Sequence, residues 1–167
     1  KNHLVLVEVW RRLVAEMGAG APKLAVVGKR GWRSEEIAAA LGDPALRSSV
    51  IEISGLSNGG WRALLAGAQA LLAPSFAEGY GLPLAEALAA GVPALCSDIP
   101  AFREVGGAAV RFLDPRQPAD WAAQVASLVG NAETRDEART AARRHPAVRP
   151  QDWFAAIDGF LDEIAAT

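Results

Sequence analysis

Short apolar runs alternate along the chain with longer stretches whose apolar positions recur at helical spacing. The runs are Lys23 to Val27, Val50 to Ile53, Ala70 to Ala73, Ala94 to Ser97 and Ala109 to Leu113. Their length and flanking glycines and prolines predict five strands. Between them, Ser34 precedes Glu35, Glu36 and an alanine-rich run to Leu41, so an N-cap and an acidic first turn open a helix that Gly42 closes. Trp61 to Ala68 reads as the next helix, although Gly59 and Gly60 make a poor first turn ahead of it. Helices are also predicted at Leu84 to Ala90, Pro100 to Val105, Pro118 to Val129, Ala132 to Arg144 and Gln151 to Ala165. Leu4 to Met17 carries two patterns at once. Leu4, Leu6 and the valines at 5, 7 and 9 suit a strand, whereas Leu6, Trp10, Leu13 and Met17 suit a helix that Asn2 caps and Gly18 ends. The alternation as a whole argues for the α/β class: a Rossmann-like parallel sheet with helices on both faces.

The candidate chemistry is concentrated between the third predicted strand and the helix after it, in Ser75-Phe-Ala-Glu-Gly-Tyr-Gly-Leu-Pro-Leu-Ala-Glu86. Gly79 and Gly81 let the backbone approach a ligand closely, and Pro83 sits where a first helical turn does without an N–H. A strand-to-helix turn of this kind directs free N–H groups and the helix dipole at an anion, phosphate above all. Glu78 and Glu86, with seven residues between them, bracket that position and supply acceptors for hydroxyl groups. On charge alone each carboxylate reads as easily as a solvated loop or first-turn acid.

The run Glu78 to Leu95, E-G-Y-G-L-P-L-A-E-A-L-A-A-G-V-P-A-L, resembles the Glu-x7-Glu donor-binding signature of the retaining glycosyltransferases of family 4, which have the GT-B fold. The likeness extends to Lys1-Asn2-His3, Val26 to Trp32, Gly67-Ala68, and Ser97 to Pro100 with Glu104. It thus covers most of the chain, in order, and it favours the helix over the strand at Leu4 to Met17.

The resemblance implies that the 167 residues form a single nucleotide-sugar-binding domain, the C-terminal half of a two-domain transferase. By it, Glu78 faces the donor sugar as the catalytic carboxylate and Glu86 receives the ribose hydroxyls. Lys1 and the loop at Gly79, Tyr80, Gly81 and Leu82 contact the diphosphate, while Gly28, Lys29, Gly55 and Leu56 line the nucleotide pocket. No cofactor and no metal are implied. Gly28-Lys-Arg-Gly-Trp32 resembles bacterial mannosyl- and related transferases of surface-polysaccharide assembly, so GDP-mannose is the favoured donor, with UDP-sugars as the alternative. A glycan or lipid-linked acceptor is expected on an N-terminal domain outside these residues. A central strand ending in an arginine is likewise expected ahead of Lys1, and without it sheet edges invite pairing with a second copy. The chain opens without a methionine, as a piece of a longer protein does.

Composition narrows the partners. A hydrophobic fraction of 51% supports one globular core, and a net charge of -2 gives no footing for nucleic acid. Cys96, the single cysteine, falls in a predicted buried strand and reads as a small core residue. Nothing resembles a signal peptide or membrane span, so a cytoplasmic location is expected, with the parent peripheral to the inner membrane face. The tryptophans at 10, 61, 121 and 153 read as packing residues, Trp32 as a cover for the pocket, and Arg143, Arg144 and Arg149 as a solvated basic edge. Two further readings stay open: a nucleotide-sugar epimerase of the same architecture, and a non-catalytic domain that binds nucleotide or serves assembly.

Overall fold

The computed structural model describes residues 1–29, 35–146, 158 and 161–164. Among the described residues there are five strands: β1 (Leu24–Val27), β2 (Val50–Ile53), β3 (Leu71–Ala73), β4 (Ala94–Ser97) and β5 (Val110–Leu113). They alternate with α1 (His3–Met17), α2 (Glu35–Leu41), α3 (Asn58–Gly67), α4 (Leu82–Ala89), α5 (Pro100–Gly106), α6 (Pro118–Gly130) and α7 (Ala132–Arg144). Of the helix predicted over Gln151 to Ala165, residues 158 and 161–164 are described and are helical. Arg30, Trp32, the Ser34 cap, Arg149 and Trp153 lie outside the described residues.

All strand pairs are parallel, but the strands form two sheets where the sequence predicts one: β1 with β2, and β3-β4-β5. These orders correspond to the 3-2 and 4-5-6 portions of a doubly wound sheet of order 3-2-1-4-5-6. What joins them is the core. Leu24 and Val26 of β1, Leu72 of β3 and Leu95 of β4 pack in one cluster with α1, α2 and α6. The period-two alternation of the strands sends their other residues to the opposite face. There Leu71, Ala73, Ala94, Cys96, Val110 and Phe112 meet α4, α5 and the Ala142 end of α7. Helices therefore cover both faces of β3-β4-β5, whereas the outer face of β1–β2 carries the exposed Ile51.

The ambiguity over Leu4 to Met17 resolves as helix because burial suits it. Val5, Leu6, Val7, Val9, Trp10 and Leu13 are all buried, more than one strand face could hide. Gly18 ends α1 with a φ of 55°, its N–H donating to the Val14 carbonyl. Asn2 departs from expectation. It occupies the N-cap position without making the cap bond, and its Nδ2 donates instead to the Pro115 carbonyl at 2.7 Å, tying the start of α1 to the β5–α6 loop. Trp10 and Trp121 pack as predicted, each with its indole N–H on a backbone carbonyl, Pro22 at 2.8 Å and Asp114 at 2.9 Å.

The start of α3 also differs. The helix begins at Asn58 rather than Trp61, because the Ser57 hydroxyl accepts from the Gly60 N–H at 3.1 Å. That cap offsets the helix cost of the two glycines. Arg143 and Arg144 are exposed, and the Arg143 stem lies along Gly91.

Candidate functional site

The loop from Pro74 to Gly81 connects β3 to α4, and its shape is set at two ends. At the strand end, Pro74 and Ser75 are buried. At the helix end, Gly81 is the N-cap of α4 with a φ of 93°, a left-handed conformation that L side chains rarely adopt. A Cβ at Gly81 would lie 2.9 Å from the ring of Phe102, itself buried under the loop, so space as well as dihedral requires glycine. Leu82 and Pro83 open the helix, and Leu84 and Ala85 donate their N–H groups to the Gly81 carbonyl at 2.9 and 3.2 Å. No acidic side chain occupies that first turn. The positive end of the helix is accordingly left for an outside anion. Tyr80 and Leu82 stand out from it, 41% and 66% exposed.

Glu78 is fixed from two sides. Its Oε1 accepts from the Lys1 ammonium and from the Ser75 hydroxyl, the latter at 2.6 Å. Partial burial pushes the carboxyl pKa up, but the hydrogen bonds from Lys1 and Ser75 and the positive charge at Lys1 outweigh it, so Glu78 titrates below its ordinary range. It is a carboxylate at neutral pH. Among the neighbouring groups, burial and the charges at Lys1 lower the His3 imidazole pKa, and burial, with the Glu78 charge, raises the Cys96 thiol to about 12.

Glu86 lies further along α4 on an exposed surface, where its Oε2 accepts from the indole Nε1 of Trp61 at 2.6 Å. Trp61 belongs to the first turn of α3. Immediately before it, the Leu56 side chain comes within 3.4 Å of the position a Gly60 Cβ would take. Gly28, Lys29, Gly55 and Leu56 occur together at the ends of β1 and β2, where the Gly28 N–H donates to the Ile53 carbonyl at 3.0 Å. Gly28 and Gly55 both have positive φ, 146° and 73°. The predicted residues thus form two groups on separate sheets, Lys1 with Glu78 and the β1–β2 loops, with Trp61 reaching from α3 to Glu86 between them.

Sequence reasoning missed two participants. Ser75 had a local signal, a hydroxyl three residues ahead of Glu78 in a turn. Trp61 had none, since its partner is 25 positions away. Among the described residues no group of three or more His, Cys, Asp or Glu is placed to hold a metal ion, and no helix is long and apolar enough to cross a membrane.

Residues 1–145 match the family model described as glycosyl transferases group 1. Two Escherichia coli proteins are similar in sequence. The O-antigen chain mannosyltransferase B is 34% identical over 116 residues, covering 69% of this chain, and the serotype-specific mannosyltransferase WbdA is 32% identical over 119 residues, covering 68%. The chain spans 30% and 15% of their respective lengths. Among solved structures, WaaG, a glycosyltransferase involved in lipopolysaccharide biosynthesis, superposes with a TM-score of 0.72 at 21% identity, covering 87% of this chain and 39% of that one. A mutant of S. aureus TarM in complex with fondaparinux, alpha-GlcNAc-glycerol and UDP superposes at 0.72 and 20% identity, covering 95% of this chain and 31% of that one. These likenesses establish the GT-B class of fold, and the family match over most of the chain establishes more: it belongs to the group 1 glycosyl transferases.

Proposed function

We propose that the chain is the donor-binding half of a two-domain retaining glycosyltransferase of family 4, which moves a sugar from a nucleoside diphosphate to a glycan or lipid-linked acceptor. The observation that carries this reading is the meeting of Lys1 and Glu78 beside the N-terminus of α4. Departure of the sugar builds negative charge on the diphosphate, and a fixed cation next to a helix N-terminus is suited to receive it. In this reading an incoming diphosphate takes the Lys1 ammonium from Glu78, while the Ser75 hydroxyl keeps hold of the carboxylate. Gly79, Tyr80, Gly81 and Leu82 add backbone N–H groups on the phosphate side.

Glu78, ionised and freed of Lys1, faces the donor sugar. Glu86 accepts the ribose hydroxyls, and Gly28, Lys29, Gly55 and Leu56 line the nucleotide pocket at the strand ends. No metal or cofactor takes part in any step. The mannosyltransferase relatives favour GDP-mannose as donor, and the UDP in the TarM complex keeps UDP-sugars as the alternative. The acceptor sits on the other domain, and the whole enzyme works in the cytoplasm against the inner membrane face. The chain alone binds donor and transfers nothing.

Calorimetric titration of the chain with GDP, UDP, GDP-mannose and a UDP-sugar tests this, on wild type and on Glu86→Ala. Saturable binding of one nucleotide class, weakened by the substitution, is the expected result. A folded wild-type chain that binds none of the four ligands would overturn it. Retention is tested separately, by the anomeric configuration of the product made by the two-domain protein.

A further inference from the structure

We infer that Trp61 is a positioning residue for Glu86, and through it a determinant of selectivity for ribose hydroxyls in the bound nucleotide. The inference rests on the reading of Glu86 given above. Glu86 stands on an exposed helical surface, where a free glutamate samples several rotamers. The Trp61 indole N–H removes that freedom by donating to Oε2 at 2.6 Å, a short bond to a charged acceptor. Indole nitrogen donates and never accepts, so it holds the ionised carboxylate and leaves the other oxygen for a ligand hydroxyl.

The local sequence explains why Trp61 can reach. The Ser57 cap starts α3 three residues early, placing Trp61 in its first turn and close to the β2–α3 loop. Leu56 packs against that turn, its side chain 3.4 Å from where a Cβ on Gly60 would lie. One turn of helix therefore carries the Leu56 contact to the nucleotide loop on one side and the Glu86 bond on the other.

The test compares the Kd of GDP and UDP with those of their 2′,3′-dideoxy forms, for wild type, Trp61→Phe, Glu86→Gln and the double variant, each checked by thermal melting. A side chain that only packs would change the ribo and dideoxy affinities equally. Trp61→Phe is expected to weaken the ribonucleotide about 10-fold, the size of one hydrogen bond to a charged group, with little effect on the dideoxy form. Glu86→Gln should reduce the same ratio, and the double variant should lose no more than the larger single loss. Reduction of the ratio by Glu86→Gln alone would overturn the role of Trp61 and leave the reading of Glu86 standing. A ratio untouched by Glu86→Gln, or a folded wild type that binds neither nucleotide, would overturn the reading of Glu86 and this inference with it. Trp61→Leu is the second variant, read by the same ratio, should Trp61→Phe fail to melt cooperatively.

Discussion

Lys1 and Glu78 stand 77 positions apart in the chain and form an ion pair in the folded protein. In the proposed function the pair sets diphosphate and carboxylate in competition for one ammonium group. Lys1→Met should therefore weaken GDP or UDP binding by about 10-fold, measured by calorimetry at low salt. Glu78→Gln should do the opposite for the nucleotide, holding or raising its affinity, while transfer by the two-domain protein falls about 100-fold. Equal losses of nucleotide affinity in both variants would contradict the competition.

The same pair has a signature in pH. Folding lowers the Glu78 pKa: burial raises it, and the bonds from Lys1 and Ser75 more than reverse that. The stabilisation is therefore complete above the ordinary carboxylate pKa and is lost as pH falls through the lowered folded value. Thermal melts from about pH 7 down to pH 3 should show wild type losing more stability than Glu78→Gln below about pH 4. Asp98, held low by its hydrogen bonds to Arg103, titrates in both proteins and cancels from the difference. Parallel melting curves would remove the ion pair from the account of stability.

Gly81 and Gly79 make a matched comparison within one loop. Gly81→Ala forces a left-handed φ on an L residue and drives its Cβ into Phe102, for a loss of about 2–3 kcal/mol and a Tm lower by at least about 5 °C. Gly79 has no neighbour within 4 Å of an added Cβ, so Gly79→Ala should stay within about 0.5 kcal/mol of wild type. Differential scanning calorimetry of the two variants decides it, and similar Tm values would mean that the α4 cap is not shaped as described.

Cys96 is buried, with its thiol pKa pushed up to about 12. Thiolate is the reactive form, so a soluble disulfide reagent at about pH 8 should leave the native protein unmodified. In denaturant one thiol per chain should react promptly. Rapid native-state labelling would place Cys96 outside the core.

Much of this was readable before any coordinates. Helix and strand periods are properties of neighbouring residues, so the order and type of the elements followed from the sequence except at α1, where two periods competed and the family resemblance favoured helix, with ends displaced by a residue or two except at α3. There the Ser57 cap overrode the glycines by a hydrogen bond whose strength propensity does not include. The α4 loop was equally legible, because Gly81, Pro83 and the spacing of Glu78 and Glu86 are local chemistry.

Partnerships were a different matter. That Asn2 reaches Pro115 instead of capping α1, that Trp61 holds Glu86 instead of only packing, and that β1 and β3 belong to separate sheets depends on where distant segments meet. The sequence by itself determined, outside Leu4 to Met17, which segments are helix, strand and glycine-bounded turn, since backbone dihedrals and side-chain periodicity act within a few residues. Only the tertiary structure decided which oxygen of each carboxylate is already engaged and by what donor, since hydrogen-bond geometry is set by packing between elements far apart in the chain.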